Sequence, residues 1–337
     1  MTARSSIAQK VNVSHPAEYV PDLSYYRSGS APTMTSAIPT GSITLGIGGI
    51  VVRLDGLESP RVETLRQRYG VFCESADRPA DLVVSVRRAD RPRFLEMRQR
   101  DEFYRVETHW EAETLLACSY EWAGWLDTKA GSGGLALAQA ALSDPRAFDR
   151  SIENYLRVAF AHLVISRGGF LLHSAGLVRD GRAWLFFGPS GSGKTTVTTL
   201  TPEALVLSDD LTMVAPMPGG EGGGYGACSV PFRGLFAPEP KSIETWPIAG
   251  FFRLVQDTSD RLVEVKGAKA VGELVGSLPF VTERPEIAGA VIDSVAGSTI
   301  KTPVFRLHFR KDRTFWQVID SRWAGVDGFS SPGGIKP

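Results

Sequence analysis

Cysteine is scarce in this chain. Cys73, Cys118 and Cys228 stand far apart, with no Cys-x-x-Cys pair and no histidine-rich spacing beside them. That excludes a dense disulfide scaffold and a zinc site of ordinary ligand spacing, and it points to reduced thiols in a cytoplasmic protein. Net charge is lacking as well. Lys+Arg and Asp+Glu both number 37, so the formal net charge at pH 7 is zero. Such a balance gives no reason to expect a nucleic-acid partner, although local basic surfaces remain open. No apolar run approaches the roughly 18 residues of a membrane span, so no membrane role is expected. The opening stretch MTARSSIAQKVNVSHPAEYVPD lacks the apolar core of a secretory signal.

What the chain does have is core-forming material. Of its 337 residues, 43% are hydrophobic and 22% charged, enough for one large domain or two ordinary ones. Residues 1–40 are rich in Ser, Thr, Pro and Ala and read as a flexible lead-in. Residues 41–148 read as a small α+β domain, mostly β. Ser42–Gly56 looks like strand pieces, and Ser59–Gly70 like a short helix with a serine cap, an early proline and a final glycine. ADLVVSVRR is another strand, and short aromatic and β-branched runs follow from Phe103 to Ala138.

At Asp149 the period changes. Ile152, Tyr155, Leu156, Ala159, Phe160, Leu163 and Val164 form one helical stripe, ended by Gly168-Gly169. His162 lies beside that stripe and reads as a helix-flank residue. A second domain is therefore placed at 149–325, with 326–337 as a flexible tail. In GFLLHSAGLVRDGRAWLFFG, the Arg-Asp-Gly-Arg between two apolar runs predicts a hairpin. The second run leads into the most informative segment of the chain.

Gly188-Pro189-Ser190-Gly191-Ser192-Gly193-Lys194-Thr195 fits G-x-x-x-x-G-K-[ST], the pattern of a phosphate-binding loop between a strand and a helix. Glycines let backbone N–H groups turn inward around phosphate oxygens. Lys194 can span the β- and γ-phosphates, Thr195 can offer a hydroxyl to Mg²⁺, and Thr196 completes the nucleotide-binding set. The loop alone says only that a nucleotide binds, with Mg²⁺ beside its phosphates. The helix after the loop is short, because Pro202 arrives eight residues after Lys194. ALVLS then reads as a buried strand ending at Asp209-Asp210, followed by the strand LTMVA. One acid suffices to hold a metal, whereas two suggest a metal ligand plus a base for an attacking hydroxyl. The competing reading is a turn in which an Asp side chain caps local N–H groups. His173 ends GFLLH and can face the same phosphate or be structural. Arg233, in SVPFRGLF, can reach phosphate oxygens or be a solvated loop arginine.

The order of these features resembles the C-terminal catalytic domain of HPr kinase/phosphorylase and its related kinases. It comprises a strand-ending histidine, a hairpin, a phosphate loop, Asp-Asp and then Arg-Gly-Leu. The resemblance covers about 160 to 320. It implies an α/β P-loop kinase domain with the fold of HPr kinase and of the nucleotide domain of phosphoenolpyruvate carboxykinase. It also implies transfer of the γ-phosphate of ATP to a serine hydroxyl of a peptide or small protein. His173, Asp209, Asp210 and Arg233 would then be catalytic, and Thr195, Asp209 and Asp210 would serve the metal. Pro231 stands where the family has a glutamate, Thr195 replaces the usual serine, and Ser174 replaces a glycine. No match to the later loop associated with phosphorolysis is found, so the kinase direction is favoured over phosphorylase. A small-molecule phosphotransferase and a nucleotide-binding regulatory module with little turnover are the alternatives. An oligomer is allowed for.

Beyond the site, Pro216–Ser229 is a glycine-rich connection, either a lid or a tolerated loop. Two short helices are predicted, with Val271, Leu274, Val275 and Leu278 on one, and Ile287, Val291, Ile292 and Val295 on the other. PVFRLHFRKDRTFWQVI alternates, with Arg306, His308 and Arg310 on one face and a hairpin expected after Arg310. That basic face is a solvated strand surface or, less simply, a dock for an acidic substrate segment.

Overall fold

The computed structural model describes residues 40–95, 104–217, 224–232, 243–281 and 285–324. The lead-in, the tail, part of the glycine-rich connection and Arg233 lie outside them. The chain divides into two compact units, Met1–Leu163 and Val164–Pro337.

The first unit is built on a seven-stranded sheet of order β1-β2-β3-β7-β6-β5-β4. Its strands are β1 (Thr40–Ile47), β2 (Ile50–Glu58), β3 (Leu82–Arg88), β4 (Glu107–Glu111), β5 (Thr114–Cys118), β6 (Trp122–Asp127) and β7 (Ser132–Leu137). Only the β2–β3 and β3–β7 pairs are parallel. Gly48 and Gly49, both at positive φ, close the β1–β2 hairpin in two residues. Helix α1 (Ser59–Tyr69) buries Val62, Leu65 and Tyr69. Ser59 is its first helical residue rather than its cap; Glu58 takes the cap position and makes no side-chain bond there. Pro60 fits because the first turn has no N–H partner to lose.

After the short α2 (Gln139–Ser143) comes α3 (Pro145–Ile165), the helix expected to open the second domain. Most of its length instead packs in the first unit. The Tyr155 hydroxyl donates to the Trp125 carbonyl at 2.9 Å, and its ring meets Trp122 edge-on. A Cβ at Gly124 or Gly133 would lie 2.6 or 2.5 Å from Tyr155, so those glycines are what lets the ring reach the sheet. Arg68 of α1 pairs with Glu153 and Asp149, and Glu153 also accepts from Arg157. Polar residues on the helix are therefore buried together with the apolar stripe.

The second unit carries β8 (Phe170–Arg179), β9 (Arg182–Phe187), β10 (Leu205–Ser208), β11 (Leu211–Pro216), β12 (Tyr225–Cys228), β13 (Thr245–Gln256), β14 (Arg261–Val265) and β15 (Val304–Phe309). Five of them close a ring: β8 pairs β11, β11 pairs β12, β12 pairs β13, β13 pairs β9, and β9 returns to β8. β10 extends from β8, and β15 then β14 extend from β13. This closed five-stranded barrel overturns the expected α/β P-loop kinase fold. Such a fold needs parallel strands joined by helical crossovers. Here parallel pairing is confined to β9–β13 and β13–β15, the other four pairs of the ring are antiparallel, and β8–β9 and β10–β11 are joined by tight turns. The β8–β9 hairpin turns at Asp180-Gly181, both at positive φ, as the sequence predicted.

The core of this unit is aromatic. Trp184, Phe186, Phe252, Phe305, Phe309, Phe315, Trp316 and Trp323 share one cluster with Leu254, Leu307 and Ile319. Each such side chain fully removed from water contributes about 1.5–3 kcal/mol. Four of those residues come from α7 (Phe315–Trp323), where a hairpin strand was expected. Phe315, Trp316, Ile319 and Trp323 are all buried, at helical rather than strand spacing. The antiparallel partner of β15 is β14, from earlier in the chain. Helices α5 (Gly267–Val275) and α6 (Pro285–Lys301) complete the unit. Val291 and Val295 of α6 are buried as predicted, but Ile292 is 48% exposed. Among the described residues, no helix is long and apolar enough to cross a membrane.

Candidate functional site

β8 organises the site. Its Ser174 pairs with Phe187, the last residue of β9, and its Gly176 pairs with Ser208, the last residue of β10. The segments leaving β9 and β10 therefore emerge together, on the two edges of β8. One is the glycine-rich loop; the other is Asp209-Asp210. His173 precedes Ser174 and pairs with Leu211, just after the acids.

The loop turns through positive φ at Gly188, Gly191 and Gly193. Pro189, Ser190 and Gly191 are exposed, while Ser192 and Lys194 are buried. The Ser192 N–H donates to the Pro189 carbonyl at 3.1 Å, and the Gln256 amide donates to the Gly191 carbonyl at 2.6 Å. Helix α4 (Lys194–Thr199) begins immediately and carries Thr195 and Thr196 in its first turn. The Lys194 ammonium folds over the loop, donating to the Gly188 and Pro189 carbonyls at 2.8 and 3.2 Å. Burial pulls its pKa below the ordinary lysine value, and Asp210 and then Asp209 push it back up. The loop cation and the acid pair thus share one electrostatic environment. The Ser192 hydroxyl is buried with no hydrogen-bond partner among the described residues.

β10 was read as a buried strand; it is an edge strand whose last two residues are buried. The turn after it is held by Ser208, whose hydroxyl accepts the N–H groups of Asp210 and Leu211 at 3.2 and 3.1 Å. Serine therefore supplies side-chain capping at this turn. Asp209 is 6% exposed, and Asp210 lies with its Oδ1 3.2 Å from His173 Nε2. The Asp210 carbonyl accepts from Ser174 N–H at 3.0 Å, and His173 N–H donates to the Ser277 carbonyl at 3.0 Å, which fixes the backbone on both sides of the histidine. His173, Lys194, Asp209, Asp210 and the loop are thus neighbours. Among the described residues, no group of three or more His, Cys, Asp or Glu could hold a metal ion.

A cavity of about 510 Å³ opens beside this cluster, lined by His173, Gly188 and Pro189 on one side and by Arg253, Glu273 and Arg306 on the other. The second group was missed in the sequence. Arg306 was noted only as part of a basic strand face, and that face is internally matched. Arg306 pairs with Glu273, His308 with Asp257 at 2.9 Å, and Arg310 with Asp260 at 3.3 Å. A signal was present in Glu273, a lone acid between Val271 and Leu274 on a predicted helix.

Over residues 150–323, more than half of the chain, the sequence matches the family model described as SynChlorMet cassette protein ScmC. The chain belongs to the ScmC family. This finding, with the closed barrel, overturns the resemblance to HPr kinase/phosphorylase. The ScmC match takes in the glycine loop, the acid pair and the cavity, and it leaves the first unit's sheet outside. No curated protein matches the chain.

Proposed function

We propose that this ScmC-family protein is an ATP- and Mg²⁺-dependent phosphotransferase acting on a hydroxyl, the serine of a peptide or small protein. One observation carries the reading. The strand that feeds the glycine loop and the strand that feeds the acid pair both pair with β8 just after His173, and Asp210 Oδ1 lies 3.2 Å from His173 Nε2. A phosphate loop alone would serve binding; an acid–histidine pair beside it adds proton transfer.

The loop N–H groups and Lys194 bind the phosphates, with Lys194 exchanging its contacts to the Gly188 and Pro189 carbonyls for phosphate oxygens. Asp210, coupled to His173, takes the proton of the acceptor hydroxyl. The acceptor oxygen forms its bond to the γ-phosphorus as the bond from that phosphorus to the bridging oxygen breaks, and ADP leaves. Hard oxygens suit Mg²⁺, which is held by one or two carboxylates together with phosphates and water. Thr195 and the largely buried Asp209 are the residues that would hold it. There it would neutralise charge on the phosphates. The cytoplasm, where ATP is abundant, is the compartment this reading requires. The unpaired state of all three cysteines agrees with it.

Incubation with γ-labelled ATP and serine peptides tests the reading. Label on a peptide serine, lost in Asp210→Asn, is expected. Phosphate release to water with no acceptor labelled would count against it.

A further inference from the structure

The cavity beside the loop holds a charge pattern that a nucleotide site does not account for. Arg253 and Arg306 stand directly opposite one another on the parallel strands β13 and β15. Like charges in that position repel. Glu273, from α5, lies between them. Arg306 Nε donates to Glu273 Oε1 at 2.8 Å, and Arg253 Nη1 lies 3.4 Å from the same oxygen. The Glu273 side chain is 6% exposed, and its other oxygen, Oε2, is buried with no hydrogen-bond partner among the described residues. Lys269, one turn earlier on α5, lines the same cavity. Three cations and a single carboxylate therefore line the cavity, and the carboxylate uses only one of its oxygens on the two arginines. The cluster has an excess of positive charge and one unfilled acceptor.

Register ties this cluster to the loop. Arg253 pairs across β13 and β9 with Phe187, the residue before Gly188. The cavity consequently runs from the start of the glycine loop and His173 to the two guanidiniums.

We propose that this cavity is the acceptor subsite and that it selects a serine flanked by an acidic residue in a peptide. The proposal rests on the phosphotransferase reading for the role of the hydroxyl, but the carboxylate contact stands on the cavity alone. Guanidinium groups bind carboxylates through paired, charge-assisted hydrogen bonds, and Lys269 adds a third cation. Glu273 Oε2 can accept a peptide N–H, which a free dicarboxylic acid does not have. The volume, within the range of ordinary ligand pockets, is suited to one or two side chains with their backbone.

Calorimetric titration of the full chain decides it. The probes are an acetylated, amidated hexapeptide with Asp beside its serine, the same peptide with Asn in that place, and glutarate as a free acid. The acidic peptide should bind about tenfold more tightly than its amide partner, the effect of roughly one charge-assisted contact. Arg306→Gln, Arg253→Gln and the exposed Lys269→Gln should each erode that preference while ATP affinity stays within about twofold of the parent. Lys269→Gln keeps the test sound if either arginine variant fails to fold. Equal binding of the two peptides, absence of binding, or glutarate matching the acidic peptide would overturn the proposal. So would a parallel loss of ATP affinity in Arg253→Gln, which would assign the cations to the nucleotide. Loss of ATP binding in Lys194→Ala concerns the phosphotransferase reading separately, since that substitution leaves the carboxylate contact in place.

Discussion

The indole N–H of Trp316 donates to the hydroxyl of Thr201 at 2.9 Å, and that hydroxyl in turn donates to the Val197 carbonyl at 2.9 Å. The bond joins α7 to the turn that follows α4, across a buried contact. Thr201 itself is fully buried. Valine keeps the shape of threonine and removes the oxygen. Thr201→Val therefore leaves a buried indole N–H with no acceptor and should cost about 1–3 kcal/mol. Urea unfolding followed by tryptophan fluorescence measures it; a loss of only a few tenths would mean that water reaches the indole.

Gly193 sits at φ 116, and a Cβ built there would lie 2.5 Å from Cζ of Phe309, a ring in the aromatic core. Gly193→Ala meets backbone strain and a ring that is packed on all sides. Destabilisation of about 2–4 kcal/mol is expected from the two together. Because the same residue takes the N-cap position of α4 in the glycine loop, ATP affinity should fall as well. A variant as stable as the parent in urea would show that Phe309 can move aside.

The sequence was most informative where the signal is local. The Asp180-Gly181 turn is fixed by two positive φ values that few dipeptides accept, so the β8–β9 hairpin was readable. The glycine loop was readable for the same reason. Barrel closure was not, because it depends on the pairing of β9 with β13 and of β12 with both β11 and β13. The β9–β13 contact joins segments more than 60 residues apart, and β12 is only four residues long. Phe315-Trp316 misled because β-branched and aromatic residues also favour strands; only the later Ile319 and Trp323 reveal the helical period. Ile292 misled because an apolar residue was assumed to face inward, whereas Ser294 and Ser298 take inward places on α6. In the site, His173 and the acid pair were found through their position next to the loop. Glu273, on α5, was overlooked because its partners, Arg253 and Arg306, come from two strands on either side of it in sequence.

The thiols give a separate check on packing. Burial pushes the thiols of Cys118 and Cys228 up to about 12, and it raises that of the half-buried Cys73 as well. At pH 8 a thiol at about 12 is thiolate in roughly one molecule in ten thousand, and the thiolate is what reacts. Native protein treated with a thiol reagent should lose Cys73 first, with Cys118 and Cys228 following only on unfolding. Peptide mapping of the labelled sites reads this directly. Equal labelling of all three in native buffer would contradict the packing of β5 and β12.

Lys194 provides the sharpest test of the site's electrostatics. Burial lowers its pKa from 10.5, and the nearby acids, Asp210 first, oppose that shift. Phosphate binding needs the ammonium form. ATP affinity should hold at neutral pH and then decline as pH rises through the lowered lysine value, ahead of an exposed lysine. The sign for Asp210→Asn follows. Removing that carboxylate removes the larger of the two attractions that keep the ammonium charged, so the midpoint should move to lower pH. Asp209→Asn should move it in the same direction by less, because Asp209 is the weaker influence. Calorimetric titrations of ATP in steps from pH 7 to pH 10 would separate the three proteins. Coincident midpoints would show that the acids do not reach the lysine's charge, and the proposed coupling between phosphate loop and acid pair would then have no electrostatic basis.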